Sequence, residues 1–128
     1  MGAIIQDVPE GEYVVDIVEM QSAIDGKGRK VVRWMLAMVD GPFAGCVLQK
    51  KYYLVNQKVS DFLKRELRMI GIEANNGQEF EAKKTEAYGK RIRITATTND
   101  QGYRAYYVKE VIGRGEEPPA ASTAKVGW

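Results

Sequence analysis

The sequence contains no histidine and a single cysteine, Cys46, among its 128 residues. Without histidine, the chain cannot form a Ser-His-Asp triad, a His-Glu-x-x-His zinc site or a Cys/His nucleophile pair. One cysteine supplies too few ligands for a structural zinc site and allows no intramolecular disulfide. Carboxylate-based catalysis remains open, but the acidic stretch 73–86 has the mixed charge of a solvated linker. We therefore predict a non-enzymatic protein with no metal and no cofactor.

Long apolar runs are also missing from the sequence. No run approaches the roughly 18 residues that a membrane helix needs. The N-terminus has neither the basic start nor the apolar stretch of a signal peptide. The single cysteine suits a reducing compartment. Together these features predict a cytoplasmic protein without a membrane segment.

The formal net charge is only +2, but the charges are unevenly distributed along the chain. Residues 1–23 contain five acidic residues and no basic residue. Residues 24–112 contain 17 basic residues against 10 acidic ones. The middle of the chain is thus basic enough to favour a polyanion as a partner.

Apolar periodicity predicts three strands, one amphipathic helix and two further strands. The predicted strands cover 12–23, 29–40, 46–55, 90–98 and 103–112, and the predicted helix covers 57–71. A partly open, five-stranded Greek-key barrel is the architecture of the OB-fold, which commonly binds oligonucleotides on one face. In that fold a single helix lies between the third and fourth strands, as it does here. We therefore predict an all-β, five-stranded OB-fold barrel, although a fold alone does not establish a function.

This barrel domain is predicted to cover residues 1–113, with Met1–Val8 as a loose arm before the first strand. Phe80, Lys84 and Tyr88 are spaced four residues apart, which allows a short second helix in an otherwise polar segment. The segment 114–128 is rich in Gly, Glu, Pro, Ala and Ser, so we predict a flexible C-terminal tail.

The quartet Lys50-Lys51-Tyr52-Tyr53 combines the two side-chain types that single-strand binding needs. Basic side chains neutralise the phosphates, and exposed aromatic rings accept unstacked bases. Because neighbouring strand residues point to opposite faces, one lysine and one tyrosine must face outward in either register. The sequence does not decide which pair that is. The alternative interpretation is that the tyrosines pack at the edge of the barrel.

Further basic and aromatic residues extend this candidate surface. If the second strand buries Trp34, then Arg33 points outward. The strict alternation of the fourth strand also turns Arg91 and Arg93 outward. The segment 26–30 fails both glycine-rich phosphate-binding motifs, but a basic hairpin tip there would flank the usual OB groove. The predicted nucleic-acid-binding residues are Lys27, Arg29, Arg33, Lys50, Lys51, Tyr52, Tyr53, Arg91, Arg93, Tyr103 and Tyr107.

Four short features recur in the order of a known family. They are Pro9-x-Gly11-x-Tyr13 before the first strand, Asp40-Gly41-Pro42-Phe43-Ala44-Gly45, the tyrosine-containing strand before the helix, and Gly89-Lys90-Arg91. Together they resemble small phage-encoded proteins found near recombination and replication functions. Members of that family are regarded as OB-fold single-stranded DNA-binding proteins. The resemblance covers residues 9–112 and brings no catalytic motif with it.

The resemblance implies non-sequence-specific binding and protection of single-stranded DNA in phage replication or recombination, inside a bacterial host cell. The tail segment Glu116-Glu117-Pro118-Pro119, with Trp128 at its end, also resembles the acidic tips of single-strand binding proteins that recruit replication partners. One alternative is an adaptor in a recombination or replication complex without DNA affinity. Another is a structural phage β-protein whose basic surface is incidental. Homo-oligomerisation remains open.

Overall fold

A computed structural model describes residues 3–5 and 7–114, without the side chain of Arg114. Every predicted strand and helix has a counterpart in it. The strands are β1 (Ile4–Ile5), β2 (Gly11–Ile24), β3 (Lys30–Met38), β4 (Val47–Tyr53), β5 (Lys90–Thr98) and β6 (Arg104–Arg114). The helices are α1 (Gln57–Met69) and α2 (Gly77–Lys83). A short second helix is therefore present in the segment where the sequence allowed one, but of Phe80, Lys84 and Tyr88 it contains only Phe80. The predicted tail, with its acidic and aromatic residues, lies outside the described residues except for Arg114.

The six strands form one sheet in the order β1-β4-β3-β2-β5-β6. Neighbouring strands are antiparallel, except that β1 and β4 are parallel. The prediction of a mostly β fold with few helices is confirmed. The prediction of a five-stranded OB-fold barrel is not confirmed, because no backbone ladder joins β4 to β6 within the described residues.

Alternation along the strands builds the core on one face of the sheet. Ile92 and Ile94 of β5 are fully buried, as the sequence pattern of that strand indicated. On β2 the pattern shifts at a bulge between Ile17 and Glu19. An inserted residue of this kind changes which side chains face inward, so Met20 is buried together with Ile17.

The central strand β3 is covered on both faces over part of its length. Trp34 and Leu36 are fully buried in the main core. Val31 and Met35 point to the opposite face and are still only 1% and 8% exposed. Both faces of this strand are largely apolar in the sequence, which is typical of a strand that is covered on both sides.

Helix α1 begins after Asn56, whose side chain accepts a hydrogen bond from the backbone N–H of Val59 at 3.0 Å. Its inward face carries Leu63, Glu66 and Leu67, which are all buried. Leu63 and Leu67, four residues apart, are typical of an amphipathic helix that packs on a sheet, whereas a buried glutamate such as Glu66 is unusual. Neither α1 nor α2 is long and apolar enough to cross a membrane.

Helix α1 lies over the gap between β4 and β6. The ring of Phe62 contacts Tyr52 of β4 and Tyr107 of β6, with centroid distances of 5.8 Å and 5.6 Å. One side of the helix thus packs against both strands. Side chains of the helix thus connect two strands that no backbone ladder joins within the described residues.

Three buried polar residues, Lys50, Tyr52 and Glu66, connect β4, α1 and β6 across the gap, and we call them the Glu66 bridge. The Glu66 carboxylate lies 3.1 Å from Lys50 Nζ and accepts a hydrogen bond from the Tyr52 hydroxyl. It also accepts from the backbone N–H of Val108 at 2.7 Å. Lys50 donates to the backbone carbonyl of Tyr106. The bridge therefore gives partners to backbone groups at the edge of β6.

The described residues of the N-terminal segment, 3–5 and 7–8, do not form the loose arm that the sequence predicted. Strand β1 pairs with the first two residues of β4, and Val8 is only 2% exposed. The Tyr106 hydroxyl accepts a hydrogen bond from the Val8 N–H at 3.3 Å and donates to Asp7 at 3.1 Å. Burial raises the pKa of Tyr106 to about 12. A two-residue strand is too short to produce a periodic sequence signal.

Removal of the Glu66 side chain should destabilise the fold strongly. Glu66→Ala leaves Lys50 buried without a counter-charge, which costs about 3–5 kcal/mol when one partner of a buried pair is lost. Urea denaturation measures this loss. Glu73→Ala is the control, because Glu73 is exposed and should change the free energy of unfolding by less than about 0.5 kcal/mol. Similar losses in both variants would contradict the role of the bridge.

Deletion of residues 1–8 should also lower stability. The deletion removes the buried Val8 side chain and the β1 hydrogen bonds, so we expect a loss of about 2–4 kcal/mol in the free energy of unfolding. Val8→Ala should reproduce part of that loss without shortening the chain. An unchanged urea midpoint for the shortened protein would restore the loose-arm prediction.

Candidate nucleic-acid interface

The structure decides which half of the Lys-Lys-Tyr-Tyr quartet faces outward. Lys51 and Tyr53 are exposed, whereas Lys50 and Tyr52 are only 3% and 2% exposed. The expectation of one outward lysine and one outward tyrosine is therefore met. Lys50 and Tyr52 have to be removed from the candidate interface, because as members of the Glu66 bridge they contact protein atoms on all sides.

The exposed pair lies beside two residues of β3 on the same face of the sheet. Lys51 is directly opposite the half-buried Arg33, and Tyr53 is directly opposite Val31, which is only 1% exposed. Residues in such opposite positions have Cβ atoms about 5 Å apart. The pairs thus form two adjacent rows, one basic and one aromatic–apolar. We call these four residues, together with Arg29, the β3–β4 face.

The hairpin between β2 and β3 brings Arg29 onto this face. Asp25 accepts hydrogen bonds from the backbone N–H groups of Lys27 and Arg29, both at 2.9 Å, and from Arg29 Nε at 2.7 Å. The guanidinium carbon of Arg29 lies 4.6 Å from the centroid of the Tyr53 ring, within cation–π range. The hydrogen bonds, chiefly that from the Arg29 N–H, hold the pKa of Asp25 below its usual value. Lys27 is exposed at the hairpin tip.

Arg91 and Arg93 point outward, as predicted, but both have acidic partners. Arg91 donates two hydrogen bonds to Asp16, at 2.8 Å and 3.1 Å, and Arg93 donates one to Glu110 at 2.7 Å. The Glu110 contact raises the pKa of Arg93. Each carboxylate offsets the charge of its arginine, so these two side chains attract a phosphate less strongly than an unpaired cation would. We therefore leave both arginines out of the candidate interface.

Tyr103 and Tyr107 have no strand pairing with the β3–β4 face. Tyr103, in the turn before β6, is 70% exposed, and Tyr107 is 42% exposed. The Tyr107 ring meets Phe62 edge-on, and Arg65 lies 5.3 Å from the Phe62 ring centroid. Because β4 and β6 do not pair, strand register does not join these tyrosines to the β3–β4 face. They are accessible aromatic residues outside the main candidate site.

Two residues of the site were not identified from the sequence. Val31 is one of several similar apolar residues in β3, and only the register with β4 places it beside Tyr53. Asp25 looks like ordinary turn chemistry in the sequence. The sequence feature that could have indicated the Asp25–Arg29 ion pair is the four-residue separation of two opposite charges in a short hairpin.

A groove of about 700 Å³ opens where β2 ends and β3 begins, beside helices α1 and α2. Buried apolar side chains such as Val32 and Phe80 line it, and Lys30 and Lys64 add positive charge. Val31 contributes to the groove lining as well as to the β3–β4 face. The two features are therefore neighbours on the surface.

Searches of protein-family models and of curated proteins find no match to this chain. Among the described residues, no group of three or more Cys, Asp or Glu side chains is placed to hold a metal ion. The chemistry of the site therefore has to be derived from its own geometry.

The two adjacent tyrosines should differ sharply in their contribution to stability. Tyr52→Ala removes a buried ring and one hydrogen-bond donor of Glu66, so it should cost about 3–5 kcal/mol. Tyr53→Ala removes a partly exposed ring and one cation–π contact, and should cost less than about 1 kcal/mol. Urea denaturation of both variants tests this difference. Equal losses would mean that the outward and inward assignments are wrong.

Proposed function

We propose that the protein binds single-stranded DNA without sequence specificity, through the β3–β4 face of an OB-type fold. The strand order β4-β3-β2-β5-β6, with α1 between β4 and β5 along the chain, is compatible with that fold. In OB-folds the strands equivalent to β3 and β4 supply the binding face. The flanking loops are equivalent to the β2–β3 hairpin and the β5–β6 turn, which carry Arg29 and Tyr103 here.

The observation that carries this proposal is the combination of free cations and an exposed ring on one face. Arg33 and Lys51 form no ion pair with any residue in the described ranges, in contrast to Arg91 and Arg93 of the same sheet. Tyr53, 36% exposed, lies in the adjacent row. A surface with both properties can hold a phosphate and a base at the same time.

The chemistry of binding follows from these two properties. Arg33 and Lys51 neutralise phosphates and release condensed counterions, which drives association. Tyr53 and Arg29 offer flat groups on which an unstacked base can lie. Every base has such a face, so stacking tolerates all sequences. The bases of a duplex are already stacked, and we therefore expect a preference for single strands.

The choice of DNA and the role in phage replication or recombination rest on the motif resemblance. The order of the turn motifs and of the tyrosine-containing strand resembles phage-encoded single-strand binding proteins. Protection of exposed strands is the activity that this resemblance implies. It requires no catalytic group, and the β3–β4 face contains cations and one ring but no arrangement for acid–base chemistry.

The groove beside Lys30 favours a second candidate function. An apolar-lined groove of about 700 Å³ is large enough to accept a segment of another protein. The chain would then act as an adaptor in a replication or recombination complex. Such an adaptor would bind no single-stranded DNA even at low salt.

Fluorescence-anisotropy titration with labelled single-stranded oligonucleotides tests the proposal. Tyr53→Ala should weaken binding about 5- to 150-fold, because a stacked base contributes about 1–3 kcal/mol. Lys51→Ala should reduce the slope of log affinity against log salt by about 0.7, the value for one phosphate contact on a single strand.

Lys58→Ala is the matched charge control for Lys51→Ala. Lys58 is exposed on α1 and does not belong to the β3–β4 face, so its removal should leave the salt slope unchanged. Equal effects of the two lysine variants would place the interface elsewhere. A wild-type protein that ignores single strands at low salt would support the adaptor function instead, and equal affinity for duplex would contradict the stacking mechanism.

A further inference from the structure

Asp25 is an acidic residue next to a surface that we propose binds a polyanion, and its contacts explain its presence there. We infer that Asp25 is a positioning residue that holds the Arg29 guanidinium over the Tyr53 ring, so that a nucleobase stacks on the outer side of that guanidinium. This inference rests on the proposed function and defines one stacking position within it.

The two oxygens of the Asp25 carboxylate have separate tasks. Oδ1 accepts from the backbone N–H groups of Lys27 and Arg29, both at 2.9 Å, and so shapes the turn. Oδ2 accepts from Arg29 Nε at 2.7 Å and so orients the side chain. Because different atoms perform the two tasks, the orientation of Arg29 can be disturbed without loss of the turn.

The exposures of the two side chains agree with this arrangement. The Asp25 side chain is 16% exposed, whereas that of Arg29 is 41% exposed. The carboxylate is thus less exposed than the side chain that it holds, and the Arg29 guanidinium carbon lies over the Tyr53 ring at 4.6 Å from its centroid. A flat cation fixed in this way resembles the Arg planes on which proteins stack unpaired bases.

Only Nε of the guanidinium is used in the contact with Asp25. Its terminal amino groups make no hydrogen bond to any residue in the described part of the chain. These groups can bind a phosphate while the planar group carries a base, since Arg presents several donors in a rigid fork. A lysine at the same position could supply charge but no plane.

Two other interpretations of Asp25 predict the opposite effect on binding. If Asp25 acts only through its charge, then removing it should strengthen the attraction for phosphates. If Arg29 is a lid that must leave the Tyr53 ring before a base can stack, then releasing it should also strengthen binding. The positioning role alone predicts weaker binding, so the sign of the change decides.

The test is an anisotropy titration with an oligothymidine of about 16 nucleotides, the upper end of the site sizes known for one OB-fold. Asp25→Asn keeps an oxygen for the two backbone N–H groups but places an amino group opposite Arg29 Nε. We expect its affinity to fall about 2- to 5-fold, the range for an exposed cation–π contact. Its melting temperature should stay close to that of the wild type.

Asp61→Asn is the matched control. Asp61 is exposed on α1, outside the β3–β4 face and its flanking loops, and forms no ion pair with a described residue. The substitution makes the same change in charge and keeps an oxygen to accept the hydrogen bond from Gln57. This variant should bind the oligothymidine as tightly as the wild type, or slightly more tightly.

A double-mutant cycle separates positioning from a general structural effect. In an Arg29→Ala background, Asp25→Asn should no longer weaken binding, because the residue that it positions is gone. Arg29→Lys should lower the affinity and leave the salt slope unchanged, since the charge stays and the plane is lost. A merely distorted hairpin would not produce this pattern.

The outcomes distinguish this inference from the proposed function. If the wild type binds and Asp25→Asn binds as tightly as Asp61→Asn, the positioning role is wrong and single-strand binding stands. An equal loss in the presence and absence of Arg29 overturns the inference as well. A wild-type protein that does not bind the oligothymidine at low salt overturns both.

Discussion

The Glu66 carboxylate holds together the part of the sheet that backbone pairing leaves open. A strand edge presents N–H and C=O groups that need partners, and β4 and β6 do not supply them to each other within the described residues. Glu66 reaches the N–H of Val108, and Lys50 reaches the carbonyl of Tyr106. Tyr52 completes the set by donating to the carboxylate. One residue of α1 therefore joins the helix to both strands, and the core closes beneath it.

A buried ion pair stabilises a protein only where its remaining polar atoms are also satisfied. That condition is met here, because the backbone of β6 and the Tyr52 hydroxyl share the remaining hydrogen bonds. Burial lowers the pKa of Lys50, while Glu66 opposes that shift; burial and the Glu66 charge both raise the pKa of Tyr52. Tyr52 thus stays a neutral donor. Since Lys50 and Tyr52 are committed inward, strand geometry forces Lys51 and Tyr53 outward. The buried Glu66 bridge thus determines which residues of β4 are exposed.

The sequence was sufficient for the order of the elements, because apolar alternation and helical spacing are local signals. The sequence did not determine which side chains of β4 face the core, because hydrophobic patterning alone predicts that every lysine faces solvent. Glu66, the ion-pair partner of the buried Lys50, lies on helix α1, later in the chain. No local sequence pattern indicates this contact. The outward direction of Arg91 could be predicted, but its partner Asp16 depends on the register of two strands that are far apart in sequence. The two-residue strand β1 leaves no periodic signal at all.

Register also decides where the positive charge of the chain remains available. The acidic first segment becomes β2, which lies between β3 and β5. Opposite Arg91 it presents Asp16, and an ion pair forms. Opposite Arg33 it presents Gln21, which is neutral and cannot cancel the charge. Lys51 lies one strand further away, so β3 separates it from β2. The small net charge of the chain is therefore unevenly distributed over the surface. Basic residues that pair with acidic residues of a neighbouring strand are neutralised, whereas Arg33 and Lys51 of the β3–β4 face keep their positive charge.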